Sequence, residues 1–246
     1  MASDPKLYDV IVIGAGAAGL MCAIEAGKRG QKVFIIDHAK RIGEKIRISG
    51  GGRCNFTNLE TSPKNFLSAN PHFFKSALKQ FDQWSFIDKV AKHGIAYHEK
   101  ALGQLFCDGK SVEIIDMLLT EAKDAGVTIK NGTEVSSIAK GANNFSITST
   151  IGDLASKSLV VACGGKSIPK IGATGFGYQI ASQFGHDLIE TRPGLVPLTF
   201  TDELLEFCRD LAGLSVDAVV SFGKVSFREG LLFTHRGLSG PSILQI

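Results

Sequence analysis

Apolar residues in this chain cluster in short β-branched runs separated by glycine turns and by stretches of helical period. Val10-Ile11-Val12-Ile13 follows Asp9 with no polar alternation, a pattern that suits a parallel strand buried on both faces. The run breaks at Gly14-Ala15-Gly16-Ala17-Ala18-Gly19, and a helical segment follows with Leu20, Cys22 and Ile24 among alanines. Lys28 and Arg29 fall in its last turn and Gly30 lies just past it, as a helix C-terminus favours. A second buried run, Val33-Phe34-Ile35-Ile36, ends at Asp37. Together these predict a strand–helix–strand unit of the βαβ kind.

Residues 40–58 are glycine-rich and basic and read as a loop. Asn70-Pro71 suits an N-cap and first helical position, and His93-Gly94 a helix stop. Ser111 caps a clearer helix, with Val112, Ile115, Leu119 and Ala122 on one face and Gly126 at its end. Val127-Thr128-Ile129, Thr133 to Ile138 and Phe145 to Ser149 read as a small antiparallel meander, with turns at Gly141 and Gly152. Leu159 to Ala162 is another buried strand, closed by Gly164-Gly165, and a helix is expected over Gly177 to Phe184. Near Arg192-Pro193-Gly194 the pattern changes to alternating strands, among them Val216 to Phe222 and Lys224 to Arg228. The expected fold is α/β. A Rossmann-like domain with a β-meander spans residues 1–191, and the start of a second, β-rich inserted domain spans 192–246.

Composition narrows the class. With 246 residues, 44% hydrophobic and 21% charged, the chain has ample material for a core, which excludes a disordered chain or a coiled coil. The net charge of +3 is too mild to argue for nucleic acid or anionic lipid, and neither is expected as a partner. Cys22, Cys54, Cys107, Cys163 and Cys208 are odd in number and form no C-x-x-C pair, so a disulfide framework and a zinc ribbon are not expected and a reducing cytoplasm fits. The uncharged stretch Val10 to Ile24 is short for a spanning helix. Asp4 and Asp9 stand where a leader would be basic, so neither a membrane span nor a leader is read.

Gly14-x-Gly16-x-x-Gly19 lies where a dinucleotide fingerprint should, after a buried strand and at the start of a helix. Gly14 permits the tight turn, Gly16 the approach of backbone to a pyrophosphate, and Gly19 close helix–strand packing. With Ala15, Ala17 and Ala18 between them, these residues offer free N–H groups and the positive helix end to phosphates. Asp37, 18 residues after Gly19, can accept the ribose hydroxyls of an adenosine and would repel a 2′-phosphate, which disfavours NADP. The competing reading is a glycine-rich turn in an ordinary α/β protein.

The same fingerprint serves FAD and NAD. Residues 40–53 hold five Lys/Arg, Lys45 and Arg53 among them, against one acid, a net +4. The consecutive Gly50, Gly51 and Gly52 could form an anion-binding concavity, with Arg53 as a bidentate phosphate donor. A mobile, solvated surface loop is the bland alternative. The strand ending in Gly164-Gly165 arrives late for a plain NAD dehydrogenase.

Three motifs carry a resemblance: Ser49-Gly50-Gly51-Gly52-Arg53-Cys54-Asn55, Gly172-Ala173-Thr174-Gly175-Phe176-Gly177-Tyr178, and Thr234-His235-Arg236-Gly237-Leu238-Ser239-Gly240-Pro241. From Tyr8 to Ile246 the chain resembles the YhiN/BaiN-like bacterial flavoproteins, which include aminoacetone oxidase. The resemblance implies FAD as cofactor. It implies Gly14, Gly16 and Gly19 at the pyrophosphate and Asp37 at the adenosine ribose. It further implies Ser49, Gly51, Arg53, Cys54 and Asn55 along the pyrophosphate and flavin side, the Val135 backbone at the adenine, and Gly164 near the ribityl chain. Members of that family run on past the Leu-Ser-Gly-Pro segment and return to the FAD domain, so the chain is expected to be a truncated form.

The expected activity is hydride transfer between flavin and a small-molecule substrate or transiently bound NAD(P)H, since no second complete dinucleotide fingerprint is present. An NAD-dependent dehydrogenase and a non-catalytic FAD-binding fragment are the alternatives. Cys54 could be a reactive thiol beside Arg53, or a small residue packed in a crowded turn; packing is preferred. Cys163 reads as core. His235 could shuttle protons, with a structural role preferred, and Phe81, Trp84 and Phe86 suggest a helix–helix contact. No catalytic base and no metal site can be named.

Overall fold

Strand β1 (Lys6–Ile13) sends alternate side chains into two buried layers. The computed structural model in which this is seen describes residues 6–246; Asp4, invoked above against a leader, lies outside them. After β1 come α1 (Ala17–Lys28), β2 (Val33–Ile36), a short α2 (Glu44–Ile48), β3 (Asn55–Asn58), α3 (Lys75–Gln80), α4 (Gln83–Lys92), β4 (Tyr97–Glu99) and β5 (Gln104–Cys107). Then follow α5 (Val112–Asp124), β6 (Thr128–Lys130), β7 (Val135–Lys140), β8 (Phe145–Ser149), β9 (Gly152–Val161) and α6 (Phe176–Gln183). These elements form the first of two units, which ends at Asp187.

The main sheet has the order β6-β2-β1-β9-β8-β7. Strands β6, β2, β1 and β9 run parallel, and β8 and β7 extend the sheet antiparallel. Val12, Val33 and Ile35 pack with Leu20, Ala23 and Ile24 of α1 and with Ile115 and Leu118 of α5. Ile11, Ile13, Phe34 and Ile36 face the other way, onto Ile138, Ile147 and Ile180. The unbroken β-branched runs thus reflect burial on both sides. A separate three-stranded sheet, β3-β5-β4, sits in the same unit.

The expected strand–helix–strand start is present, but four local expectations need correction. Residues 40–58 are not one loop: α2, a 3₁₀ turn at Ser49–Gly52 and β3 lie within them. Ile46 is buried in the core, so tertiary packing stabilises a five-residue helix that composition does not suggest. Thr128–Lys130 is not part of the meander, because β6 pairs parallel with β2. The meander is β7-β8-β9, and the expected strand at Leu159 is the far end of the long β9. Asn70-Pro71 does not open a helix. Asn70 Oδ1 accepts from His72 N at 3.0 Å in a local turn, and α3 starts only at Lys75.

The second unit, Leu188–Ile246, holds β10 (Leu198–Thr199), α7 (Asp202–Asp210), β11 (Ser215–Phe222), β12 (Val225–Thr234), β13 (Gly237–Ser239) and α8 (Pro241–Leu244). Its antiparallel sheet has the order β10-β13-β12-β11. His235 is exposed in the turn between β12 and β13.

Candidate functional site

The chain leaves β1 through a glycine turn that only a glycine allows. Gly14 has φ +109°, and a Cβ there would strike the carbonyl oxygen of Ala162 at the end of β9. Gly14 N donates to Ile36 O at 2.7 Å and Ala162 N to Ile13 O at 2.8 Å, so three parallel strand ends are laced together at this point. A Cβ on Gly19 would collide with Gly14 O, so the third glycine of the motif sets how closely α1 approaches the turn. Gly16 differs: a Cβ there would meet nothing within 4 Å and would project into open space.

The first backbone hydrogen bond of α1 runs from Leu20 N to Gly16 O at 2.9 Å. The N–H groups of Ala17, Ala18 and Gly19 lie ahead of it, outside the helical ladder. No acidic side chain occupies this first turn and no side chain caps it. The helix end therefore keeps its partial positive charge for an anion.

Asp37, at the tip of β2, ties the turn from outside. Its Oδ2 accepts from Ala15 N at 2.6 Å and its Oδ1 from Ala39 N at 2.7 Å. An ionised carboxylate has about four acceptor sites, so lone pairs remain for further donors. Thr133 N donates to Asp37 O at 2.9 Å and Gly132 N to Ala39 O at 2.9 Å, which stitches the start of the meander to the β2 tip.

Around these elements opens a cleft of about 590 Å³, within the range of small-molecule sites. It lies where connections from the ends of β1, β2 and β9 diverge, the usual position of a ligand in an open parallel sheet. Of the residues singled out from the sequence, Gly14, Gly16, Ala17, Ala18, Asp37, Lys45, Val135 and Gly164 line it. Ala15 and Gly19 stand behind the wall, in the roles just described. Lys45 reaches across from α2 and donates to Gly165 O at 3.2 Å.

Ser49, Gly51, Arg53, Cys54 and Asn55 lie outside this lining, on the 3₁₀ turn and the start of β3. Gly50, Gly51 and Gly52 all adopt positive φ, as a concavity requires. The N–H groups of Arg53 and Cys54, however, already donate to Gly50 O and Ser49 O. Arg53 and Asn55 are exposed, whereas Cys54 is buried with φ +51°. Burial raises the Cys54 thiol, and burial also pushes Cys107 up to about 12. These are packed thiols, not thiolates. Cys163 is only partly buried, against Gly177, and burial raises it too.

Sequence reasoning missed the opposite wall, formed by His38, Arg41 and the stretch from Gly172 to Phe176 with Gln179. His38 Nε2 lies 2.9 Å from Gly172 O and joins the β2 tip to that stretch. Part of the signal lies in the sequence, where Gly172–Tyr178 stands out as a motif, but its spacing does not place it in the site.

Residues 8–233 match the family described as the HI0933-like protein Rossmann domain. The chain belongs to this family. The HI0933-like chain is 53% identical over 241 residues to the "Ribosomal RNA dihydrouridine synthase" of Escherichia coli (strain K12), covering 97% of this chain and 60% of that protein. It is 29% identical over 243 residues to the "3-dehydro-bile acid delta(4,6)-reductase" of Clostridium scindens, covering 96% of this chain and 58% of that one. The chain thus spans about 60% of the length of these curated relatives. Among solved structures, a flavocytochrome c3 fumarate reductase superposes with a TM-score of 0.55 at 19% identity, over 88% of this chain and 48% of the other. That likeness concerns the fold, which in the HI0933-like chain is a Rossmann-like α/β domain.

The site's own chemistry fits FAD. Gly16 opens onto space that a Cβ would enter, Ala17 and Ala18 of the uncapped α1 N-terminus line the same cleft, and an acid at the β2 tip has acceptor sites to spare.

Proposed function

We propose that this chain holds FAD in the cleft and forms the cofactor-binding part of an oxidoreductase that reduces a carbon–carbon double bond conjugated to a carbonyl. The observation that carries the first half is the glycine turn facing open space at the α1 N-terminus, with Asp37 beside it. Ala17 and Ala18 would donate N–H groups to the diphosphate, and Asp37 would accept from the adenosine ribose. Val135 would lie against the adenine, and Gly164, with Lys45 near it, would border the ribityl chain. When bound, the isoalloxazine ring supplies hydride chemistry that no side chain can perform.

The names of two relatives support the second half. Dihydrouridine differs from uridine by two electrons and two protons added across the C5–C6 double bond, next to a carbonyl. A delta(4,6)-reductase of a 3-oxo steroid acts on the same kind of activated alkene. Both point to reduction of an alkene, which gives the expected hydride transfer a direction, from flavin to substrate. The 53% identity favours uridine in ribosomal RNA as the substrate of the whole protein. This reading sets aside the expectation, drawn from the mild net charge, that no nucleic acid is involved. NAD(P)H, bound transiently, is the proposed electron donor. A cytoplasmic setting belongs to the proposal and suits five free cysteines; no helix among the described residues is long and apolar enough to cross a membrane.

The test uses the full-length protein. Two flavin absorption bands should survive desalting, and excess NAD should not displace them. Incubation with unmodified ribosomal RNA and NAD(P)H should produce dihydrouridine detectable by mass spectrometry of nucleosides. A colourless protein that FAD cannot reconstitute would end the first half; a yellow protein that leaves uridine untouched would end the second.

A further inference from the structure

The segment between β3 and α4 combines unbalanced basic residues with large exposed apolar side chains. From Thr61 to Phe81 it carries Lys64, Lys75 and Lys79 and no Asp or Glu. All three lysines are exposed, and among the described residues no carboxylate pairs with any of them. Interleaved with them are large apolar groups left in solvent: Leu67 is 97% exposed, Phe73 78% and, just beyond, Trp84 56%. Phe66 and Phe74 stack on each other with ring centroids 4.7 Å apart.

This is an ordered platform. Ser62 and Asn65 form a reciprocal capping box at its start. Asp82 caps α4 by accepting from Ser85 N at 2.8 Å, and Gln83 donates to Leu59 O at 3.0 Å. Phe81 and Phe56 both pack on Phe86, which fixes the end of the segment to β3.

We propose that residues 61–84 are a docking surface for single-stranded RNA. The choice of RNA rests on the function proposed above, and the surface supplies the argument from charge and shape. Ammonium groups without carboxylate partners, Lys75 bonded only to His72 Nδ1 at 3.0 Å, beside exposed rings match a strand that presents phosphates and base faces together. A covering segment of the protein's own chain would have to bury three charges with the rings, at a large desolvation cost unless it brought acids.

The test measures binding of a fluorescein-labelled 12-nucleotide oligouridylate to the full-length, FAD-loaded protein by anisotropy at several salt concentrations. Lys64→Gln/Lys75→Gln/Lys79→Gln should weaken binding about tenfold at low salt and flatten the log–log salt slope by about 2, from three lost phosphate contacts. Phe73→Ala/Trp84→Ala should weaken it about tenfold with the slope unchanged, as lost stacking does. Flavin absorbance and circular dichroism report whether the variants remain folded. Affinity unchanged in both variants overturns the surface, even if the wild type forms dihydrouridine and the proposed function stands. Binding lost in both, in a protein that forms no dihydrouridine, keeps the surface and removes the proposed reaction. Hydroxyl-radical labelling gives a second readout. Phe73 and Trp84 should be labelled in the free full-length protein and shielded by the oligonucleotide; shielding before RNA is added means the protein's own chain covers them and overturns the proposal.

Discussion

At the scale of single residues, the contrast between Gly19 and Gly16 gives the sharpest expectation. A methyl group at Gly19 meets a backbone oxygen that cannot move without opening the β1 turn, whereas at Gly16 it meets nothing in the protein. Gly19→Ala is therefore expected to lower the melting temperature by several degrees, at a cost of about 1–3 kcal/mol from overpacking, and to lose flavin on desalting. Gly16→Ala should leave the melting temperature of the cofactor-free protein within a degree or so, yet weaken FAD binding at least tenfold in a fluorescence-quenching titration. Equal melting temperatures for the two would show that the cleft is not where the geometry puts it. These glycines were legible in the sequence because a buried run, a glycine pattern and a strand-end acid lie within one βαβ unit. The Gly172–Phe176 wall was not, because the fold rather than proximity in sequence brings it to His38 and Arg41 at the β2 tip.

At the scale of elements, three helices converge on one carboxylate. Glu121 of α5 accepts from Lys28 of α1 at 2.9 Å and from Lys89 of α4, and lies 3.2 Å from His93 just after α4. Burial works against its ionised form, but the Lys89 and Lys28 ammonium groups outweigh that and hold it down at about 2, against an ordinary value of 4.5. A depressed carboxylate stabilises the fold fully above pH 4.5, and that contribution fades as pH falls towards 2. The shift sets an upper limit of about 3 kcal/mol. Glu121→Gln should lower stability at pH 7 by about 1–3 kcal/mol in urea melts, and wild type and variant should converge near pH 2. A difference that persisted undiminished at pH 2 would assign the effect to packing instead. Element identity is legible in the sequence where periodicity is long, as in α1 and α5, and not where burial alone decides, as in α2. The place of β6 is hidden for a related reason: three residues after a helix carry no mark of the strand they will join.

At the scale of the whole molecule, the chain changes hands at residues 185–199, which are all exposed and contain no helix or strand before Leu198. The contact boundary at Asp187/Leu188 and the change of pattern near Arg192 both fall inside this stretch. Glutamyl endopeptidase is expected to cut after Glu190 under native conditions before it cuts at Glu25, Glu113 or Glu121, and mass spectrometry of the first fragments checks it. First cleavage inside the β6-β2-β1-β9 sheet region would refute the two-unit division.

The double duty of Asp37 has a practical corollary. Exchanging this carboxylate for a small neutral or basic group is the familiar way to make a nucleotide pocket welcome a 2′-phosphate. Here the same oxygen atoms fasten Ala15 and Ala39, so the exchange would slacken the very turn to which the proposed function assigns the diphosphate. Anyone redesigning coenzyme preference in this scaffold would first need to anchor those two amides by other means.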